Sequence, residues 1–125
     1  MPPTQTETLS APARHRGPSL VAVAAVFASL FLASLATVAA MTGGAHLPSP
    51  FEPGAVVFFS DHPDAVRIGA FLQFGAAIPL AIFTATATSR LRFLGIAVAG
   101  KSIALIGGTL AAAMAALSAL LQWVL

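Results

Sequence analysis

Three long uncharged stretches divide this chain. No charged residue falls between Arg16 and Glu52, between Arg67 and Arg90, or between Lys101 and Leu125. Each gap holds an apolar run of about 20 residues or more, which at 1.5 Å rise per residue covers a hydrocarbon core roughly 30 Å thick. A backbone surrounded by hydrocarbon must pair every N–H and C=O within the protein, so helices or closed barrels are the available forms. Barrel strands alternate apolar and polar residues over segments of about ten, and the chain has no such segments. The pattern predicts an all-α integral membrane helical bundle with three transmembrane helices. They cover residues 20–41, 65–89 and 97–124, with an extracytoplasmic loop at 42–63.

Finer periodicity assigns faces. In the first span Ala25, Ser29, Ala33 and Thr37 repeat every fourth position, a stripe of small side chains that would let a neighbouring helix approach closely. Phe27 and Phe31 would then face lipid or other parts of the bundle. In the second span Gly69, Gln73, Ala77, Leu80, Thr84 and Thr88 recur at spacings of three or four, which gathers them on a face that looks into the bundle. In the third, Gly107, Ala111, Ala115 and Ala119 form one small-residue register, and Gly108, Ala112 and Ala116 form another beside it.

The joints follow from the breakers. Pro48, Pro50, Pro53 and Gly54 interrupt any regular helix in the first connection. After them Ala55 to Ser60 is too short to cross and too apolar for a free loop, so it reads as a short interfacial helix or turn carrying Phe58 and Phe59. The second long helix starts between Asp61 and Asp64. Pro63 suits a first turn and disfavours helical geometry at His62, while the two acids set negative charge beside unpaired N–H groups. Arg90 to Phe93 reads as a tight basic turn, with Gly95 opening the third helix. Lys101, one turn inside it, can extend its ammonium back to the headgroups. A second reading of the first span is a cleaved signal peptide, with Val38 and Ala40 as the small residues before the cut. Its apolar core is longer than the roughly 7 to 15 residues usual for such a segment, which favours an uncleaved span.

Composition agrees with the pattern. Hydrophobic residues make up 58% of the chain and charged residues 8%, far below the roughly 25% with which a soluble domain faces water. Charge placement then gives orientation. Arg14, Arg16, Arg90, Arg92 and Lys101 share one side and Arg67 stands alone on the other. By the positive-inside tendency the N-terminus is cytoplasmic and the C-terminus extracytoplasmic. Residues 1–18, rich in Pro, Thr, Ser and Ala, read as a disordered basic cytoplasmic tail. A net charge of +2 is too small for a nucleic-acid surface, so no such partner is expected.

Little in the sequence carries chemistry. With no cysteine there is neither a disulfide nor a thiolate site. No histidine lies mid-span to hold a haem, and no Gly-rich phosphate loop, nucleophile elbow or intramembrane carboxylate is present. No cofactor and no enzymatic activity are expected. His46, Glu52, Asp61, His62 and Asp64 could face a divalent ion together, but their spacing fits no ligand motif and a metal is not expected either. That leaves a polar intramembrane group, Gln73, Pro79 and Thr84. Gln73 could bond across helices or meet a ligand, and Pro79 frees the Gly75 carbonyl and should bend its helix.

Ser49-Pro50-Phe51-Glu52, the run from Phe71 to Leu80 (FLQFGAAIPL), and Ser89 to Gly95 (SRLRFLG) carry a resemblance. Through these segments the chain resembles the amino-terminal half of a group of uncharacterised bacterial multi-pass membrane proteins. The resemblance implies the bacterial inner membrane and further hydrophobic helices, and it carries over no activity and no catalytic residue. Ending at Leu121 to Leu125 with no polar flank, the chain is expected to be the first part of a longer one. Its partners would be the lipid bilayer and further transmembrane helices, from a missing C-terminal half or from another copy. The function expected is a structural or interaction component of the bundle. The alternatives are a small transporter or permease-like component with its site near Gln73 and Pro79, and an extracytoplasmic ion-sensing module.

Overall fold

The structure is a computed structural model, described for residues 17–45, 47–49, 51–95 and 99–124. It contains α1 (Leu20–Met41), α2 (Ala55–Asp61), α3 (Pro63–Phe93) and α4 (Ala99–Val124), and no strand among the described residues. The all-α class is as the sequence dictates. Three of the helices are long and apolar enough to cross a membrane. The tail through Arg16, with its Arg14 and Arg16 anchors, lies outside the described residues.

α3 is the axis of the molecule. α1 and α4 each pack along it, and among the described residues they do not touch one another. Both pairs run antiparallel. Ser34 of α1 lies against Gly69, whereas Pro18, before α1, meets Arg90 near the far end of α3. On the other flank Gly108, early in α4, meets Thr84, while Gln122, at its end, meets Gln73. With 31 residues α3 is about 46 Å long, some 15 Å more than the hydrocarbon it would cross. The surplus carries Asp64 and Arg67 at one end and Arg90 and Arg92 at the other, so the charged residues lie where headgroups and water would be.

The buried residues are small. On α3 they are Ala65, Val66, Gly69, Ala70, Ala76, Ala77, Pro79, Thr84, Thr86 and Thr88, on α1 Ser34 and Val38, and on α4 Ala112 and Ala119. Phe71, Ile78, Ile103, Ile106 and Leu110 point outward. Water would penalise that arrangement by roughly 25 cal/mol for each Å² of apolar surface left uncovered. Lipid imposes no such cost, and there helices associate by close van der Waals approach between small residues. The distribution is that of a membrane protein.

Several local expectations need correction. Ala25, Ser29 and Ala33 are exposed, and the face of α1 that packs is the one holding Leu30, Ser34 and Val38. Gly69 decides this, because only a position lacking Cβ leaves room for the Val38 side chain beside the Ser34 hydroxyl bond. On α4 the packed line is Gly108, Ala112, Ala115 and Ala119, drawn from both registers, while Gly107 and Ala111 are exposed. The basic segment Arg90–Phe93 is the last turn of α3 and not a free turn. Cations there face the negative end of the helix dipole. Gly95 closes that helix at φ +72°, a conformation glycine adopts without steric cost, so it does not open the next one. The residues 96–98, including the expected start of the third span at 97, lie outside the described set.

The short helix is present as α2, and its end explains the joint to α3. Pro63 has no N–H to continue the α2 ladder, and its ring disfavours helical geometry at His62, which takes φ −127° and ψ 49°. The chain turns at that one residue and α3 begins. Asp64 sits in the first turn of α3 as expected, but Asp61 is the last residue of α2.

Candidate functional site

The polar group drawn from the sequence does not assemble as one site. Gln73 and Pro79 are six positions apart on α3, about 9 Å along the axis, and Gln73 and Thr84 about 16 Å. Each has its own surroundings. Pro79 is buried within an unbroken helix, where its missing N–H leaves the Gly75 carbonyl without an intrahelical donor. Thr84 donates from Oγ1 to the Leu80 carbonyl at 2.9 Å and packs against Gly108. Thr88 in turn donates to the Thr84 carbonyl at 2.7 Å. The hydroxyl protons of Thr84 and Thr88 are thus spent within their own helix and are not free for a ligand.

Gln73 has a partner that the sequence reading missed. Gln122 Nε2 donates to Gln73 Oε1 at 3.2 Å and also reaches Ser118 Oγ at 3.3 Å. An amide placed in hydrocarbon must find hydrogen-bonding partners inside the protein. The signal was present: apart from Gln5 in the tail, Gln73 and Gln122 are the only glutamines in the chain. Two antiparallel spans carrying one amide each can join at only a few registers, and this is one. A second interhelical bond lies on the α1 side, where Ser34 Oγ donates to the Gly69 carbonyl at 2.8 Å.

The loop residues do other work. Glu52 Oε2 accepts from the Ser49 backbone N–H at 3.2 Å, and His62 Nδ1 lies 3.3 Å from the Phe58 carbonyl, its ring 5.0 Å from that of Phe58. Asp61 and Asp64 are exposed. Among the described residues no three His, Asp or Glu side chains come together in a way that could hold a metal, and His46 lies outside those residues.

At the opposite end Arg90 Nη2 donates to the Pro18 carbonyl at 3.1 Å, tying the entry of α1 to the exit of α3, while its Nε is buried without a partner. Arg92 is exposed and Lys101 partly so. The three described cations at this end have no carboxylate among the described residues beside them, since Glu52, Asp61 and Asp64 all lie near the other end.

The geometry describes two interhelical locks flanking one central helix, with no convergent catalytic group among the described residues. The chain matches no family model, no curated protein and no solved structure.

Proposed function

We propose that the chain is a structural or interaction component of a helical bundle in the bacterial cytoplasmic membrane, of the group it resembles, with its N-terminus inside and its C-terminus outside. Its partners are the surrounding lipid and further transmembrane helices, supplied by a continuation of the chain or by a second copy. No reaction is assigned to it. The observation that carries this reading is the Gln122 to Gln73 hydrogen bond. It commits the Gln73 amide oxygen, within the uncharged stretch of α3, to holding α4 on α3 rather than to a ligand.

The exposed Gly107 and Ala111 support the partner reading, since small side chains on an outward face permit close approach by another helix. The grouping of Arg90, Arg92 and Lys101 at the end where α1 begins supports the orientation. The test is a double-mutant cycle in lipid nanodiscs or mild detergent with Gln73→Leu, Gln122→Leu and the pair. Each single change should lower unfolding stability by about 1 kcal/mol, and the double should cost less than the sum. Strict additivity would mean that the two amides do not bind one another. A solute flux abolished by Gln73→Leu at unchanged stability would replace the structural role with transport.

A further inference from the structure

The connection between α1 and α3 does not stand clear of the bundle. Leu47 in that connection and Phe59 of α2 face Leu117, Ser118 and Gln122 of α4 across a cleft of about 410 Å³. That volume lies within the roughly 300–1,000 Å³ of sites that take small molecules. Its walls are hydrocarbon and aromatic, and no charged side chain lines it. Ser118 and Gln122 are its polar side chains, one helical turn apart.

The hydrogen bonding of these two is half finished. Gln122 Nε2 is engaged with Gln73 Oε1 and with Ser118 Oγ, so Ser118 acts as acceptor. Among the described residues the Ser118 hydroxyl proton has no acceptor and Gln122 Oε1 has no donor. Ser118 and Gln122 are both half-buried, and among the described residues Gln122 Oε1 is not a buried polar atom left without a partner. The cleft therefore offers one free donor and one free acceptor, side by side, within an otherwise apolar lining. Gln122 is two positions from the end of α4, at the level of the loop and α2, so the mouth lies near the headgroup region and not at mid-bilayer.

We propose that this cleft binds a neutral hydroxy-ester amphipath, of which a monoacylglycerol is the simplest example. Its ester carbonyl accepts from the Ser118 hydroxyl, a glycerol hydroxyl donates to Gln122 Oε1, and its acyl chain lies against Leu117 and Phe59. A fatty acid would bring a carboxylate to a site with no cation, and a plain alkane would leave both oxygens unanswered. The inference rests on the membrane setting and not on the structural role proposed above, because Gln122 keeps its bond to Gln73 whether the cleft is filled or empty.

Photolabelling tests it on the full chain in phosphatidylcholine nanodiscs, using a monoacylglycerol with a diazirine in its acyl chain and mass spectrometry to locate the adduct. Labelling of the Met114 to Gln122 segment should saturate, and excess unlabelled monooleoylglycerol should displace it where oleic acid and added phosphatidylcholine do not. Leu117→Trp, which fills the cleft, should reduce that labelling at least tenfold while adducts at lipid-facing Ile103 and Ile106 persist. Ser118→Ala, which keeps the helix and the Gln73 bond, should weaken displacement about tenfold. Labelling that rises without saturation, and equally in Leu117→Trp, would mean bulk lipid contact only and overturn the site. Equal displacement by oleic acid would overturn the ligand class.

Discussion

Two adjacent glycines of α4 show how much a single hydrogen can decide. A Cβ added at Gly108 would collide with the Thr84 side chain, including its own Cβ, which cannot rotate away. At Gly107 the same atom would meet nothing within 4 Å. Gly69 is intermediate: its Cβ would stand 2.7 Å from the single methyl Val38 Cγ2, whereas at Gly108 three Thr84 atoms stand in the way. Alanine is the better helix former by about 1 kcal/mol, so this gain must be set against overpacking of about 1–3 kcal/mol. The expected order of stability change is a clear loss for Gly108→Ala, a smaller loss for Gly69→Ala, and a gain or no change for Gly107→Ala. Unfolding in mixed micelles measures all three, and an equal loss at Gly107 would refute the packed face assigned to α4. Ser34→Ala belongs to the same scale. It removes the hydroxyl bond to the Gly69 carbonyl and should cost about 0.6 kcal/mol, the usual worth of an interhelical bond in a membrane.

At the scale of the helix, the sequence was legible where its spacing singled out one face and silent where two faces shared it. On α1 spacing could not choose the face, because the exposed Ala25, Ser29 and Ala33 and the packed Leu30, Ser34 and Val38 share the same four-residue repeat, and the choice was made by the glycines of α3 opposite, Gly69 and Gly75. The line from Gly69 through Gln73, Ala77, Leu80 and Thr84 to Thr88 mixes threes and fours and stays on one face, and its members are buried or half-buried. Gly108, Ala112, Ala115 and Ala119 obey the same mixture across what reads as two separate stripes. Helix existence was legible for a different reason: hydrocarbon leaves an unpaired backbone no alternative. The partner of Gln73 was not legible from spacing within one helix, because it depends on the antiparallel register of two. Pro79 gives a prediction for the element as a whole. Pro79→Ala restores an N–H to the Gly75 carbonyl and removes a constraint worth up to about 3 kcal/mol in an ordinary helix. Part of that is offset by losing the contacts of a buried ring, so a net gain of about 1 kcal/mol is expected in the unfolding midpoint. A net loss would show that the ring's packing outweighs the missing bond.

For the whole molecule the controlling quantity is how cations divide between the two ends, since every long helix is apolar and none has a preferred direction of its own. Arg90 and Arg92 close α3 where α1 begins, Lys101 follows at the start of α4, and Arg67 with Asp64 marks the other end. Short segments rich in Lys and Arg are retained on the cytoplasmic side, and acids count for little, so Asp61 and Asp64 do not cancel Arg67 or set the sign. Because the chain has no cysteine, one introduced thiol reports one position without interference. Asp64→Cys and Arg92→Cys occupy exposed sites at opposite ends of α3. With a membrane-impermeant maleimide applied to intact cells, the thiol at 64 should react at once and the thiol at 92 only after the membrane is opened. Arg92→Cys removes one of the cations that sets the orientation, so a companion with Lys introduced at Leu94 keeps the charge count while the thiol is read. Reaction at 92 in sealed cells, in that charge-restored protein, would invert the orientation and put the Ser118 and Gln122 cleft on the cytoplasmic face.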